Sequence, residues 1–207
     1  MIASEEQARA FVAGIGGEGA IARLDQFSAM LRVENEEQNL VAQASLDNVW
    51  VRHIADSAQL VVHVSRETSP WLDLGTGAGL PGLVVAILCP QRKVILVESR
   101  RRRNDWLERC ITGLALNNCR VEGKRLEFVD SFEAAVISAR AFAPLPKLLD
   151  LSARFSTART EWVLPKGRSA EQEWAALKPK RRKLFHVEQS LTDEEAKILV
   201  GKGRVAP

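Results

Sequence analysis

The chain reads as an α/β protein: an open, mostly parallel sheet with helices on both faces, preceded by an N-terminal helical extension. The extension is expected over residues 1–67 and the sheet domain over 68–207. Three observations predict this. Helical spacing of apolar residues recurs before residue 70, with no strand pattern there. From Pro70 onward, short apolar strands alternate with helical segments, as in βαβ units. The first of these strands runs straight into a glycine-rich turn, Gly75-Thr76-Gly77-Ala78-Gly79.

Each element follows from local chemistry. Ser4 is placed to cap a first helix through Phe11 and Val12, and the glycines at 14, 16, 17 and 19 are expected to break it. Ile21, Leu24, Phe27 and Leu31 then recur on one helical face, up to a polar break over 34–38. Ser45 or Asp47 is expected to cap a third helix that buries Val49, Trp50, Ile54, Leu60 and Val61. Residues 71–74 form the first strand. Residues 80–88 are helical and end at Cys89-Pro90. Residues 93–98 make a continuously apolar strand, buried on both faces. A helix over 100–116 turns Trp106, Leu107, Cys110, Ile111 and Leu114 inward. Strands at 120–122, 135–138 and 161–164 are separated by a helix over 144–155. A helix over 169–177 and strands at 184–187 and 198–200 complete the order. Such sheets bind ligands at the carboxyl ends of their strands. The glycine loop, Glu98, residues 126–127 and Ser138-Ala139-Arg140 should therefore gather on one rim.

Composition narrows the class. The 207 residues are 46% hydrophobic and 27% charged, an ordinary globular balance. The sequence lacks the long apolar run of a membrane span, and Met1–Glu6 lacks the basic start of a signal peptide. The three cysteines, 89, 110 and 119, have no metal-ligand spacing and are expected to be reduced core residues of a cytoplasmic protein. The histidines make no zinc site, so no metal is expected. The net charge of +3 is unevenly divided. Residues 1–69 carry five arginines, no lysine and ten carboxylates, a net of −5. Residues 70–207 carry 24 basic and 16 acidic residues, a net of +8. A basic second half suits a polyanionic partner.

The glycine loop carries two overlapping signatures. Gly75-Thr76-Gly77-Ala78-Gly79 has the spacing of an S-adenosylmethionine site, and Gly77-Ala78-Gly79-Leu80-Pro81-Gly82 is a literal dinucleotide fingerprint. Both use glycine so that backbone turns sharply and approaches a cofactor closely. Glu98, at the end of the second strand, suits the two hydroxyls of a ribose in either case. Asp73 tilts the reading toward S-adenosylmethionine, because a carboxylate there attracts a sulfonium and repels a pyrophosphate. An NAD-dependent oxidoreductase remains the rival enzyme, and the chain has no tyrosine to assist hydride transfer. An RNA-binding assembly factor without catalysis is the other rival.

Further segments occur in order: Asn39-Leu40, Arg52-His53-Ile54-Ala55-Asp56-Ser57, Leu80-Pro81-Gly82, Ser138-Ala139-Arg140-Ala141-Phe142-Ala143 and Pro165-Lys166-Gly167. With the glycine loop, they make the chain resemble the bacterial 16S rRNA methyltransferase G family, also called glucose-inhibited division protein B, from about residue 21 onward. The resemblance implies a Rossmann-like methyltransferase that moves a methyl group from S-adenosylmethionine to N7 of a guanine in the decoding region of 16S rRNA. It implies that Gly75, Gly77 and Leu80 contact the cofactor, that Leu126 and Glu127 flank the adenine, and that Arg140 sits near methyl donor and base. Two departures stand out. Ala134-Ala135 replaces an aromatic-Asp pair before the fourth strand, and residues 34–38 lack the Trp-Asn pair that many members show.

Guanine N7 has a free lone pair and loses no proton on methylation, so no catalytic base is expected. Arg52, His53, Lys166 and Arg168 are the candidate RNA-binding residues. Arg140 is expected to orient the guanine. The expected partner is 16S rRNA, free or within the 30S subunit. The expected state is a monomer away from membranes.

Overall fold

A computed structural model describes residues 1–65 and 67–206. Helix α1 (Glu5–Glu37) begins as expected, with Ser4 Oγ accepting from the Gln7 N–H at 3.1 Å. The glycine cluster does not end it. The chain leaves helical geometry at Gly17 alone, where φ is +72°, and winding resumes. The reason is tertiary: Ala8 and Val12 before the kink, and Ala20, Leu24, Phe27 and Leu31 after it, are buried in one cluster. That burial outweighs a glycine cost of about 1 kcal/mol per site. The polar stretch near its end also stays helical. Buried Asn35 accepts from the N–H groups of Leu40 and Val41, both at 2.9 Å, and so folds the chain back.

The next helical run covers 50–63 and changes winding twice. It is a π-helix at Trp50–Ala55, an α-turn, α2, at Asp56–Ala58 and a 3-10 stretch at Gln59–His63. Neither Ser45 nor Asp47 caps it. The Glu5 carboxylate accepts from the N–H groups of Trp50 (3.1 Å) and Val51 (2.9 Å) instead. A side chain on α1 thus does the work assigned to a local cap.

Among the described residues no strand precedes β1 (Trp71–Leu74). Then follow α3 (Gly82–Leu88), β2 (Val94–Val97), α4 (Arg101–Gly113), β3 (Cys119–Glu122), β4 (Val136–Ala139), α5 (Leu145–Ser152) and β5 (Glu161–Lys166). The chain continues through α6 (Ala170–Ala175), α7 (Pro179–Arg182), β6 (Phe185–Gln189) and β7 (Lys197–Lys202). Sheet order is β3-β2-β1-β4-β5-β7-β6. The first five strands are parallel, and β7 runs antiparallel to both β5 and β6.

Alternation within each strand feeds two cores. Trp71, Val94, Leu96, Val136 and Val163 join the cluster containing α1, the 50–63 run and α3. Leu72, Leu74, Ile95, Val97, Ile137, Trp162 and Leu164 face α5 on the other side. Both faces are covered, which is why the strands read as unbroken apolar runs. Helices before Trp71 therefore share a core with the sheet. The cysteines form no disulfide; Cys110 is buried, and Cys89 and Cys119 are partly buried and pack against the same core cluster.

Candidate active site

The sheet reverses its order between β1 and β4, and this is where the glycine loop leaves β1. A crevice at such a switch point is the natural ligand site of an open α/β sheet. Gly75 turns there with φ +62°, and a Cβ on it would lie 2.5 Å from Phe142 Cδ2. At Gly82 a Cβ would meet Leu96 at 2.2 Å and Asp73 Oδ2 at 2.8 Å. Both positions require glycine, the first for the turn and the second for close approach of α3 to β1 and β2.

Asp73 lies beneath this loop. Trp71 Nε1 donates to Ser138 Oγ at 2.7 Å, and Ser138 donates on to Asp73 Oδ1 at 2.7 Å. The Gly82 N–H donates to Oδ2 at 2.9 Å. Burial pushes the carboxyl up to about 6, against hydrogen bonds that pull it down. The expectation that Asp73 faces a cationic ligand is corrected: it is wholly buried, with both oxygens engaged in the protein.

Glu98 follows β2 and is held from several sides. Oε1 accepts from the N–H groups of Ser99 (2.8 Å) and Arg100 (2.9 Å), and Oε2 from that of Gly77 (3.2 Å). Arg103 pairs with it at 3.6 Å. Gly75, Glu98, Leu126, Glu127 and Phe142 line one cavity of about 420 Å³. Leu126 and Glu127 open the short helix Leu126–Phe128, where backbone N–H groups precede the first helical bond. The donors and acceptors around this cavity fit an adenosine: a fixed carboxylate for a ribose, and an apolar side chain beside backbone N–H groups for a base. Gly77 reaches the site through its bond to Glu98. Leu80 lies in the core under the loop and is absent from the cavity wall.

Arg140 lines a different cavity, of about 940 Å³, with Arg52, His53, Asp56 and Lys166. The two cavities share the segment 141–143 as a common wall. Ala141 within it has φ +54°, an uncommon conformation for a residue with a Cβ. Arg140 pairs with Asp56 at 3.4 Å, tying β4 to the 50–63 run. Lys166 Nζ bonds Glu173 at 2.9 Å and is largely buried. Arg52 is half-exposed and pairs with Asp193 at 3.0 Å. Arg168 is exposed, pairs with Glu195, and stands outside the cavity lining. His53 is buried in the wall, with Nε2 2.7 Å from Ser45 Oγ. The structure thus separates Arg140 from the residues grouped with it for cofactor contact, and brings it beside the RNA candidates.

Sequence reasoning named Phe142 within the Ser138–Ala143 motif but gave it no role in the site. It also missed Gln59, buried and bonded to Asp56, Ser190, Thr192 and the Leu191 N–H. Among the described residues no His, Cys, Asp or Glu side chains cluster to hold a metal ion, and no helix is long and apolar enough to cross a membrane.

The profile of the family described as rRNA small subunit methyltransferase G matches residues 20–199. A protein of Erythrobacter litoralis called ribosomal RNA small subunit methyltransferase G is 63% identical over 204 residues, 99% of each chain. A protein of the same name from Sphingopyxis alaskensis is 55% identical, over 90% of this chain and 80% of its own. Among solved structures, a SAM-dependent methyltransferase from Aquifex aeolicus aligns with TM-score 0.57 at 12% identity, covering 81% of this chain and 96% of that one. M. jannaschii TYW2 in complex with AdoMet aligns with TM-score 0.55 at 15% identity, covering 74% and 76%.

Proposed function

The chain belongs to the rRNA small subunit methyltransferase G family, and from that premise we propose that it methylates N7 of one guanine in the decoding region of 16S rRNA. It is an S-adenosylmethionine-dependent methyltransferase whose substrate is small-subunit ribosomal RNA. The observation that supports the finer reading is the pair of cavities on either side of residues 141–143, at the switch point of the sheet. One has the lining of an adenosine site, and the other is lined by Arg52, His53, Arg140 and Lys166 together with the carboxylates Asp56, Glu173 and Asp193.

When bound, S-adenosylmethionine supplies an electrophilic methyl carbon, so that a base nitrogen forms the new bond as the carbon–sulfur pair returns to sulfur. Guanine N7 gives its lone pair and loses no proton, so the chain needs no general base. Its work is positioning and electrostatics. Glu98, fixed by three backbone N–H groups, is assigned to accept from the ribose hydroxyls. Gly75, whose missing Cβ lets Phe142 pack against the loop, is assigned to the cofactor, Gly77 holds Glu98, and Leu126 and Glu127 are assigned to the adenine. Leu80 and Asp73 support the loop from below. Arg140 is assigned to guanine O6, held in place by Asp56. Arg52, His53, Lys166 and Arg168 are assigned to RNA.

The monomer is the proposed state, the cytoplasm the proposed compartment, and residues 1–67 the proposed RNA-facing extension. Labelled S-adenosylmethionine incubated with naked 16S rRNA and with 30S particles tests the reading. One labelled guanine, with depurination chemistry diagnostic of N7, is the expected result. Label at another base atom would overturn the N7 assignment. Calorimetry should show binding of S-adenosylmethionine and none of NAD.

A further inference from the structure

At the end of the sheet opposite the two cavities, three separate segments bring basic residues together. They are the turn at 157–160 before β5, the run 178–184 around α7, and the stretch 202–206 that closes β7. Hydrogen bonds tie them to one another. The Gly203 N–H donates to the Thr160 carbonyl at 2.8 Å, the Lys202 N–H to the Leu184 carbonyl at 3.0 Å, and the Arg181 guanidinium to the Ala206 carbonyl at 2.7 Å. These sixteen residues hold eight arginines and lysines and no aspartate or glutamate. Neighbouring elements answer two of the eight: Asp150 pairs with Arg181 at 2.6 Å, and Glu161 with Lys202 at 3.6 Å. Arg182 lies over the Trp174 ring. The other five, Arg159, Lys178, Lys180, Lys183 and Arg204, are exposed and make no ion pair among the described residues.

Like charges gathered this closely repel one another and cost stability. A polyanion bound there removes that cost. No exposed large hydrophobic residue lies in the three segments, so the surface has nothing to insert into a lipid bilayer. The segments hold no aromatic residue either, so no unpaired base can stack on them. Their donors suit phosphate oxygens, which carry affinity without sequence preference. We propose that this end of the molecule grips the phosphate backbone of a helical segment of small-subunit rRNA, away from the modified base, as a second anchor. β5 runs between the anchor and the larger cavity, whose wall includes Lys166 at the far end of the strand. A strand of that length sets the two RNA contacts at least about 17 Å apart. The inference rests on the ribosomal RNA substrate and holds whichever base atom is methylated.

The test compares wild type with a variant carrying Lys178→Ala, Lys180→Ala, Lys183→Ala and Arg204→Ala together. All four side chains are exposed, so the variant should fold, with a Tm equal to or above that of wild type and unchanged affinity for S-adenosylmethionine. Filter binding of naked 16S rRNA is measured from low to high salt. The slope of log affinity against log salt should fall by about 3 for four lost phosphate contacts. KM for 16S rRNA should rise roughly tenfold or more while kcat holds. Hydroxyl-radical footprints should show two protected stretches with wild type, and the variant should lose only the one remote from the target guanine. An unchanged salt slope and KM overturn the proposal, as does a footprint lost at the target instead. Retention of wild type but not the variant on phosphatidylglycerol vesicles, with RNA binding unaltered, assigns the surface to membranes and overturns it too. The footprint is read without methyl transfer, so the anchor is tested even where the guanine reading fails.

Discussion

Trp71 Nε1 has a hydrogen to give and no lone pair, so Ser138 must accept from it and send its own proton toward Asp73. Two buried titratable groups thus stand on either side of the active crevice with opposite pH behaviour. Asp73 is raised to about 6 by burial, so its contribution to stability is present below its ordinary value and lost as pH rises through 6. His53 is lowered to about 4, so its contribution is complete above about 6.5 and lost as pH falls toward 4. The stability gap between wild type and His53→Gln, read from urea midpoints at pH 7 and pH 5, isolates the second effect. Wild type should lose more than the variant on going to pH 5. Equal losses would mean that folding does not depress the pKa of His53. Glu98 was legible from its place after an apolar strand. The burial of Asp73 was not, because it depends on Ser138 and Gly82, which arrive from other elements.

Strands were the most legible elements. β1, β2 and β4 are buried along their whole length, so they read as short, mainly apolar runs, whereas the edge strands β3 and β6 are only partly buried. The run over 50–63 was less so. Its start is organised by Glu5, 45 residues earlier, and no local pattern announces that partner. Glu5→Ala should therefore destabilise a distant element, by about 0.5–2 kcal/mol if it acts as other caps do. Hydrogen exchange should show faster opening at Trp50 and Val51 than in wild type. Because this run carries Arg52, His53 and Asp56, RNA methylation should fall while cofactor affinity holds. Unaltered protection at Trp50 would show that the Glu5 bonds contribute nothing. The kink in α1 was foreseen as a break. Packing on both sides of Gly17 kept the helix whole.

Over the whole molecule, charge divides near the first strand, with −5 before residue 70 and +8 after it. The acidic part is not a separate body, since its helices share a core with the sheet. RNA binding should consequently depend steeply on salt, because phosphate contacts release counterions. Among the described residues Arg168 is exposed and pairs with Glu195, a partner it can exchange for a phosphate. Arg168→Ala should lower the slope of log affinity against log salt by about 1, measured by filter binding, and leave S-adenosylmethionine affinity unchanged. An unchanged slope would place Arg168 outside the RNA footprint. The cofactor side of the site was readable because a glycine loop is contiguous in sequence. The RNA side was only partly so, because Arg52, Arg140 and Lys166 meet from three distant segments.

The order β5-β7-β6 has a consequence for how the protein is made. β7 is later in the chain than β6 but lies between β6 and the rest of the sheet. During synthesis β6 emerges with no strand to pair with, and it waits until Lys197–Lys202 have been added. Until then one side of β5 is an open edge, and Trp162 and Leu164 lack the neighbours that enclose them. The parallel half therefore has all its strands while β5 still offers a template edge. β7 closes that edge when it enters between β5 and β6, so the sheet is complete only once both β6 and β7 have been made.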